Sequence, residues 1–479
     1  MKLLRRLLQL VPFVLLLAIL APAQDAPASQ PVATEEHRLT AAEAKELFRS
    51  VDDILQFASD HTGLPILHSV KKKLATREEV AKYIEKRLKE QGNGERFDRS
   101  SRSLKRLGLL PRDFNLREYM LGLYKEQVEG WYDAHNKTVY LLDWVSPELQ
   151  KPVMAHELVH ALQDQSYGLE KWLNVADDSK DDTTQLAIDE QRTARQSVVE
   201  GQAMIALYDY QLAPVGQTVE SAPALVDSMK ASALDEDSSP MYAQAPIYLR
   251  EAMLFPYSYG MEFVRALLLK RGKQAAFAGV FQHPPFDTRE IMEPATYLAS
   301  EPQPKLKVVP LDGVLGPDWQ QEDVSGIGEI DLHVILRQWA GKEVAAKLSP
   351  AWRGGYYMAL SNKKSSKDAP PPLALVLNFA APESANQFAS VYTSSLTQRY
   401  KSVQPVPTTD APVADLHPSS VASDAASVAP SSSHEWNTEE GLVRLYVDGP
   451  TVTAFESFTS ADAAKLHAAL IPAVTTLVP

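Results

Sequence analysis

Residues 153–165 read VMAHELVHALQDQ, an apolar run that carries His156, Glu157 and His160 inside it. A stretch like this is driven out of water, yet its ionisable groups are costly to bury without partners. The fold must therefore take it in as a helix and supply those partners. Ser146 is a good N-cap, Pro147 suits the first helical position, and Pro152 falls near enough to the start to be tolerated. Positions i and i+4 of a helix share a face, so His156 and His160 can aim two imidazoles at one point. Glu157 lies about 100° further round and can reach a water at that point without being a ligand.

The chain has no cysteine, so it has no disulfide, thiolate ligand or cysteine-linked lipid. A metal here must be held by His, Asp or Glu. Zinc (Zn2+) bound by two histidines needs a third protein ligand and an open position for water. The ion brings the pKa of that water to about 7, and the glutamate takes its proton. The competing explanation is a helix that carries two histidines and no metal. The nine other histidines, at positions 37, 61, 68, 135, 283, 333, 417, 434 and 467, are isolated and read as structural or solvated.

A third histidine six residues after His160 is ruled out, because Ser166 stands there. A later acid is the other common solution, and Asp189, Glu190 and Glu200 are the candidates. Asp189 and Glu190 sit in a polar stretch that reads as surface. Glu200 is an isolated acid in SVVEGQAMIAL, an apolar helical run where a lone carboxylate must be paired or metal-bound. It is favoured as the ligand, with an ordinary ion pair to Arg192 or Arg195 as the alternative. Gly201 and Ala203 would let this helix approach the first one closely. Asp164, four residues after His160, can supply a supporting hydrogen bond to a ligand or can simply face solvent.

The start of the chain sets a compartment. MKLLRR, an apolar core and APA at 21–23 read as a secretory signal peptide over 1–23, with cleavage near Ala23. An uncleaved anchor is the alternative. The product is expected to be secreted or periplasmic, with a disordered Pro/Ala-rich leader over 24–36. No later segment is apolar for long enough to span a membrane. Loss of Lys2, Arg5 and Arg6 takes the formal charge from −13 to −16, which leaves no electrostatic footprint for nucleic acid. The Lys71-Lys72-Lys73 run reads as solvated surface.

The fold class is α+β in two domains. Residues 37–304 are mainly helical. Thr76 and Glu79 form a capping box before a helix, and 116–127 is a second helix. VEGWYDAHNKTVYLLD reads as a β-hairpin with strands near 128–132 and 138–142, just before the His156 helix. The acidic segment 174–185 reads as a loop, and further helices cover 222–280. The Pro-rich segment 283–297 reads as an ordered loop that closes the domain. Residues 305–479 form a small α+β domain with a flexible, low-complexity segment at 405–433. Its Trp352, Tyr356 and Tyr357 read as sheet core, with a recognition surface as the alternative.

HELVH followed on a later helix by EGQA resembles the gluzincin branch of the zincin metallopeptidases. The longer string HELVHALQDQ … VVEGQA … FPYSYG … PPFDTREIMEPATY is similar to a group of secreted bacterial proteins with this pattern. The resemblance covers roughly residues 60 to 300. It implies a zincin-like domain, zinc at His156, His160 and Glu200, and Glu157 as general base. It also implies hydrolysis of a peptide or protein substrate lying extended along an edge strand at Trp131, Tyr132 and Asp133. Two features depart from the thermolysin-like pattern. The gap from His160 to Glu200 is longer, and Met204 stands where an aspartate would orient a histidine. An oxyanion stabiliser is also needed. Tyr257 and Tyr259 are candidates, as are Tyr208 and His283, although aromatics at such spacing also suit a core.

Three functions follow as expectations. One is a secreted zinc-dependent peptidase. Another is a zincin-fold binding or scaffold protein with structural zinc and little proteolytic activity. The last is a selective processing or autoproteolytic enzyme whose 174–185 loop gates the cleft.

Overall fold

The helix predicted around His156 forms over Pro147–Tyr167, and the rest of the first half is arranged to bury it. The computed structural model describes residues 38–90, 94–128, 130–175, 181–233, 240–302, 307–363, 370–407 and 432–475. The expected signal peptide and leader lie outside the described residues, as do 408–431 of the expected flexible segment.

In the first half, helix α1 (Ala41–Thr62) leads to strand β1 (Lys71–Ala75), followed by helices α2 (Arg77–Glu90), α3 (Gly94–Arg106) and α4 (Leu116–Gln127). Strands β2 (Trp131–Asp133) and β3 (Thr138–Leu142) precede α5 (Pro147–Tyr167). Then come α6 (Asp182–Leu212), α7 (Pro223–Ala233), α8 (Ile247–Gln274) and the short α9 (Thr288–Met292). The Thr76–Glu79 capping box is present in both directions, at 2.9 and 3.2 Å. The three strands form one sheet in the order β1-β3-β2, with β1 parallel and β2 antiparallel to β3.

Several expectations need correction here. The triple-lysine run is not merely surface. It forms the edge strand β1, with Lys71 and Lys73 turned to solvent, where charge guards an open edge. Strand β2 is shorter than expected and starts at Trp131. The 174–185 segment is helical from Asp182, because the Asp181 carboxylate caps the amide of Thr184. Its residues 176–180 lie outside the described residues. The 283–297 segment is not a loop throughout, since it holds α9 and a second short helix, Pro294–Ala299.

Every residue of α5 from Val153 to Asp164 is buried. The helix lies against α1 and α6, and α6 lies against α8. The α6–α8 contact is very tight. A Cβ on Gly201 would sit 2.2 Å from the Gly260 carbonyl, and one on Gly260 would sit 2.1 Å from the Ser197 oxygen. Gly201 thus permits close helix packing as expected, but the partner is α8 rather than α5. The hairpin is clamped to α5 at both ends. Gln150 exchanges hydrogen bonds with Leu142 N and O at 2.8 and 2.9 Å. Asp164 accepts from the Tyr132 hydroxyl at 2.8 Å and from Lys137 Nζ at 2.6 Å.

The second half holds β4 (Trp319–Gly326), α10 (Glu329–Ala340), β5 (Trp352–Asn362), β6 (Leu373–Phe379) and α11 (Pro382–Arg399). It ends with β7 (Val403–Pro405), β8 (Ser432–Thr438), β9 (Gly441–Asp448), β10 (Thr451–Glu456) and α12 (Ser460–Thr475). The strands make one antiparallel sheet in the order β4-β5-β6-β10-β9-β8-β7. Residues 405, 432 and 433, expected to be flexible, are thus in strands. Alternation along β6 divides the sheet's two faces. Leu373, Leu375 and Leu377 enter the large core with α10 and α11, while Ala374 and Val376 enter a smaller core under α12. Trp352, Tyr356 and Tyr357 are buried, as expected of a sheet core. The large core also contains Leu158 and Val199, so the two halves share one apolar interior across the expected boundary near 305.

Candidate metal centre

α5 and α6 bring three side chains to one point. His156 Nε2 and His160 Nε2 are 3.0 Å apart. Glu200 Oε2 lies 3.3 Å from the first and 3.5 Å from the second. The three donors thus form a nearly equilateral triangle. Tetrahedral zinc ligands at bond lengths of about 2.0–2.1 Å stand about 3.3–3.4 Å apart, so the triangle has the right size. Although both imidazole nitrogens are close, Glu200 Oε2 accepts no aligned hydrogen bond among the described residues. The three donors face a common point, where they could share a cation, and the two imidazoles also contact each other there.

Glu200, not Asp189 or Glu190, takes the third vertex. Those two are buried rather than on the surface, which corrects the expectation, but they serve elsewhere. Asp189 pairs with Arg192 at 3.7 Å, and Glu190 accepts from the Thr288 amide and hydroxyl at 3.1 and 2.9 Å. Neither Arg192 nor Arg195 pairs with Glu200. They bond the carbonyls of Val175 and Trp172. Glu157 is also close, since a carboxylate oxygen of Glu157 and a nitrogen of each histidine lie within 4.8 Å of one another. One Glu157 oxygen is fixed by the Tyr132 amide at 2.7 Å, and Oε1 has no hydrogen-bond partner among the described residues. Glu157 therefore stands beside the triangle with one oxygen held and one available, the arrangement a base needs.

Burial governs the protonation of the group. His156, Glu157 and His160 are 0% exposed and Glu200 is 1% exposed. Desolvation holds the His156 imidazole down to about 4, against the opposing pull of Glu200, so it is neutral and able to ligate. Desolvation and then the Glu200 charge push Glu157 well above the ordinary carboxylate value. Desolvation alone would also raise Glu200, but the two histidines outweigh it and hold Glu200 below the ordinary value.

The supporting residues differ from expectation. Asp164 does not reach His160, being committed to Tyr132, Lys137 and the Leu169 amide. Gln163 takes that place, with Oε1 2.9 Å from His160 Nδ1. Gln163 in turn donates to Val199 O and to Gln202 Oε1. A buried amide in an apolar run must be satisfied, and that signal could have marked Gln163 and Gln202 in the sequence.

Of the tyrosines, Tyr257 stacks over His156 with ring centroids 6.2 Å apart. Tyr259 has Glu251, Arg337 and Glu329 as its charged neighbours rather than the residues of this centre. It packs on Phe255, and burial together with Glu251 raises its phenol to about 12. His283 lines a separate cavity of about 640 Å³ with Arg271 and Phe286. Tyr208 is buried in the core.

The expected substrate strand is an edge of its sheet, but Trp131, Tyr132 and Asp133 are all buried. Trp131 stacks on Tyr140 at 4.4 Å. The outward amide of Tyr132 is taken by Glu157, since the buried carboxylate needs a donor. Asp133 builds the hairpin turn by accepting from the amides of His135 and Asn136. A substrate pairing along this edge is thus blocked at Tyr132 by the chain's own carboxylate.

No protein-family model, curated protein or solved structure matches this chain.

Proposed function

We propose that the protein is a secreted or periplasmic zinc-dependent peptidase with His156, His160 and Glu200 as ligands and Glu157 as general base. The observation that carries this reading is the Glu200 carboxylate, buried between two imidazoles at 3.3 and 3.5 Å with no aligned donor among the described residues. Zinc at this triangle would act as a Lewis acid, making water a nucleophile near neutral pH and polarising a peptide carbonyl. Glu157 Oε1 would take the water's proton and pass it to the leaving amine. The Tyr132 amide holds the other oxygen of Glu157 and so fixes its direction. Tyr257, whose ring lies over His156, would be the tyrosine to steady a developing oxyanion. Tyr259 would not.

A second reading, a zincin-like scaffold with structural zinc, draws support from the near-complete burial of all four groups. Metal analysis of the purified full chain, beside its Glu200→Ala variant, is the first test. One zinc per wild-type chain and much less in the variant is expected. Absence of zinc in the wild type, even after reconstitution, removes both readings. Cleavage of a broad peptide library by the wild type, and not by a zinc-loaded Glu157→Gln variant, supports the peptidase. Zinc with no cleavage of any library member supports the scaffold.

A further inference from the structure

Beyond α8, a π-helical turn over Ala275–Gly279 follows a kink at Gly272, whose φ is 77°. It turns the carbonyls of Ala276 and Phe277 toward the side chain of Gln202 on α6, which donates to them at 2.7 and 3.3 Å. A carbonyl oxygen can only accept, so the NH2 end of the Gln202 amide must face this turn. Its oxygen then faces Gln163 and accepts from Gln163 Nε2 at 2.8 Å. The second hydrogen of Gln163 Nε2 goes to Val199 O at 3.1 Å. Both hydrogens are used, and the Gln163 oxygen is left facing His160 Nδ1 at 2.9 Å. That oxygen can only accept. His160 must therefore carry its hydrogen on Nδ1, and in the neutral ring Nε2 is bare.

From this geometry we infer that Gln163 and Gln202 are positioning residues: a buried, one-way hydrogen-bond relay that fixes the His160 tautomer as the metal-binding one before any ion arrives. The polarity is set at the far end by main-chain carbonyls. It passes through two amides that are both fully buried and cannot reverse without leaving donors facing donors. His156 has no such support, because its Nδ1 has no partner among the described residues. The 3.0 Å contact between the two Nε2 atoms then needs a hydrogen from His156. In the metal-free chain the two histidines therefore hold opposite tautomers, Nδ1–H at His160 and Nε2–H at His156. Only His156 must shift its proton when an ion enters.

The purpose assigned to the relay rests on the zinc reading, but the tautomers do not. The test is 15N NMR of the full, metal-free chain labelled at histidine, with zinc affinity measured by chelator competition. Wild type should show Nδ1–H at His160 and Nε2–H at His156. Gln163→Leu should release the His160 tautomer and weaken zinc by about 10–100-fold, the usual cost of losing a partner of a ligating histidine. Gln163→Glu still accepts from Nδ1 and should keep the tautomer, although its second oxygen would face the acceptors Val199 O and Gln202 Oε1 and lower stability. Gln202→Leu, one step further away, should cost less. A wild-type His160 protonated on Nε2 overturns the relay, as does a folded Gln163→Leu protein with unchanged tautomer and affinity. A wild type that takes up no zinc removes the metal reading, while the metal-free tautomers still decide the relay.

Discussion

Glu200 and Glu456 are both carboxylates removed from water, and their surroundings are opposite. Glu456, on β10, accepts from Arg106 Nε at 3.0 Å, from Arg399, and from the hydroxyls of Tyr392 and Tyr400 at 2.5 and 2.6 Å. Burial would raise its pKa, but Arg399 and then Arg106 hold it down to about 2. Arg106 comes from α3 in the first half, so this cluster ties the two halves together. Glu200 has two histidines and no arginine. The first site is complete within the chain. The second has a buried carboxylate, two imidazoles and a point on which all three converge. A buried charge is costly without compensating partners, and at Glu200 only two imidazoles face it, against two guanidiniums and two hydroxyls at Glu456.

The largest expected effect comes from breaking the complete site. Glu456→Gln leaves the buried Arg399 guanidinium without its anion, and leaves Arg106 with the Glu440 carboxylate alone at 2.7 Å, and should cost about 3–5 kcal/mol in denaturant unfolding. Glu200→Gln in metal-free protein should cost less, since two imidazoles and no guanidinium favour its charge. Equal costs at the two sites would make Glu200 an internal structural pair and end the contrast.

Added zinc should separate the sites next. At a hundredfold excess over its dissociation constant a ligand that binds only the folded chain adds about 2.7 kcal/mol. Wild type should show that increment, Glu456→Gln should keep it and Glu200→Gln should lose it. An increment that persists in Glu200→Gln would place the ion elsewhere. A smaller effect is expected from Gly201→Ala. Its Cβ would sit 2.2 Å from the Gly260 carbonyl, on backbone that cannot swing away. Pushing α6 off α8 should cost about 1–3 kcal/mol. It should also weaken zinc, because Glu200 is the neighbouring residue. Unfolding and chelator competition on the same sample check both.

The same contrast explains what was legible in the sequence. The convergence of His156, His160 and Glu200 could be read because they are polar groups in apolar helical runs, a local anomaly that needs a local reason. The choice between Gln163 and Asp164 as the partner of His160 could not. Positions i+3 and i+4 share the helix face, and only the packing of α6 on one side and the hairpin on the other separates them. The Glu456 cluster was also hidden, because Arg106 and Glu456 are 350 residues apart. Strand β4, WQQEDVSG, has no apolar alternation and is held by pairing with β5. The shared core between the halves follows from such distant contacts and leaves no mark in either segment alone.

A third class of buried carboxylate gives the finest comparison, through pH. At the meeting of α6, α9 and α10, burial and then the Glu190 charge raise Asp287 to about 7. Burial and then Glu293 raise Glu329 to about 9, with Asp287 adding to the shift and Arg289 and Arg353 opposing it. Groups raised in the folded state favour folding while protonated. Their contribution is whole below the ordinary carboxylate range and is lost as pH rises through about 7 and about 9. Glu456 has the opposite sign. Its contribution is whole above the ordinary range and is lost as pH falls toward about 2. Between pH 7 and 9 the unfolding free energy of the wild type should therefore fall by up to about 1.4 kcal/mol per pH unit for one titrating group. Glu329→Gln cannot titrate and should flatten that fall while leaving the acid limb to Glu456. Denaturant midpoints across pH 3 to 9 decide it. An unchanged alkaline slope in the variant would mean that Glu329 finds a counter-charge in the folded state after all.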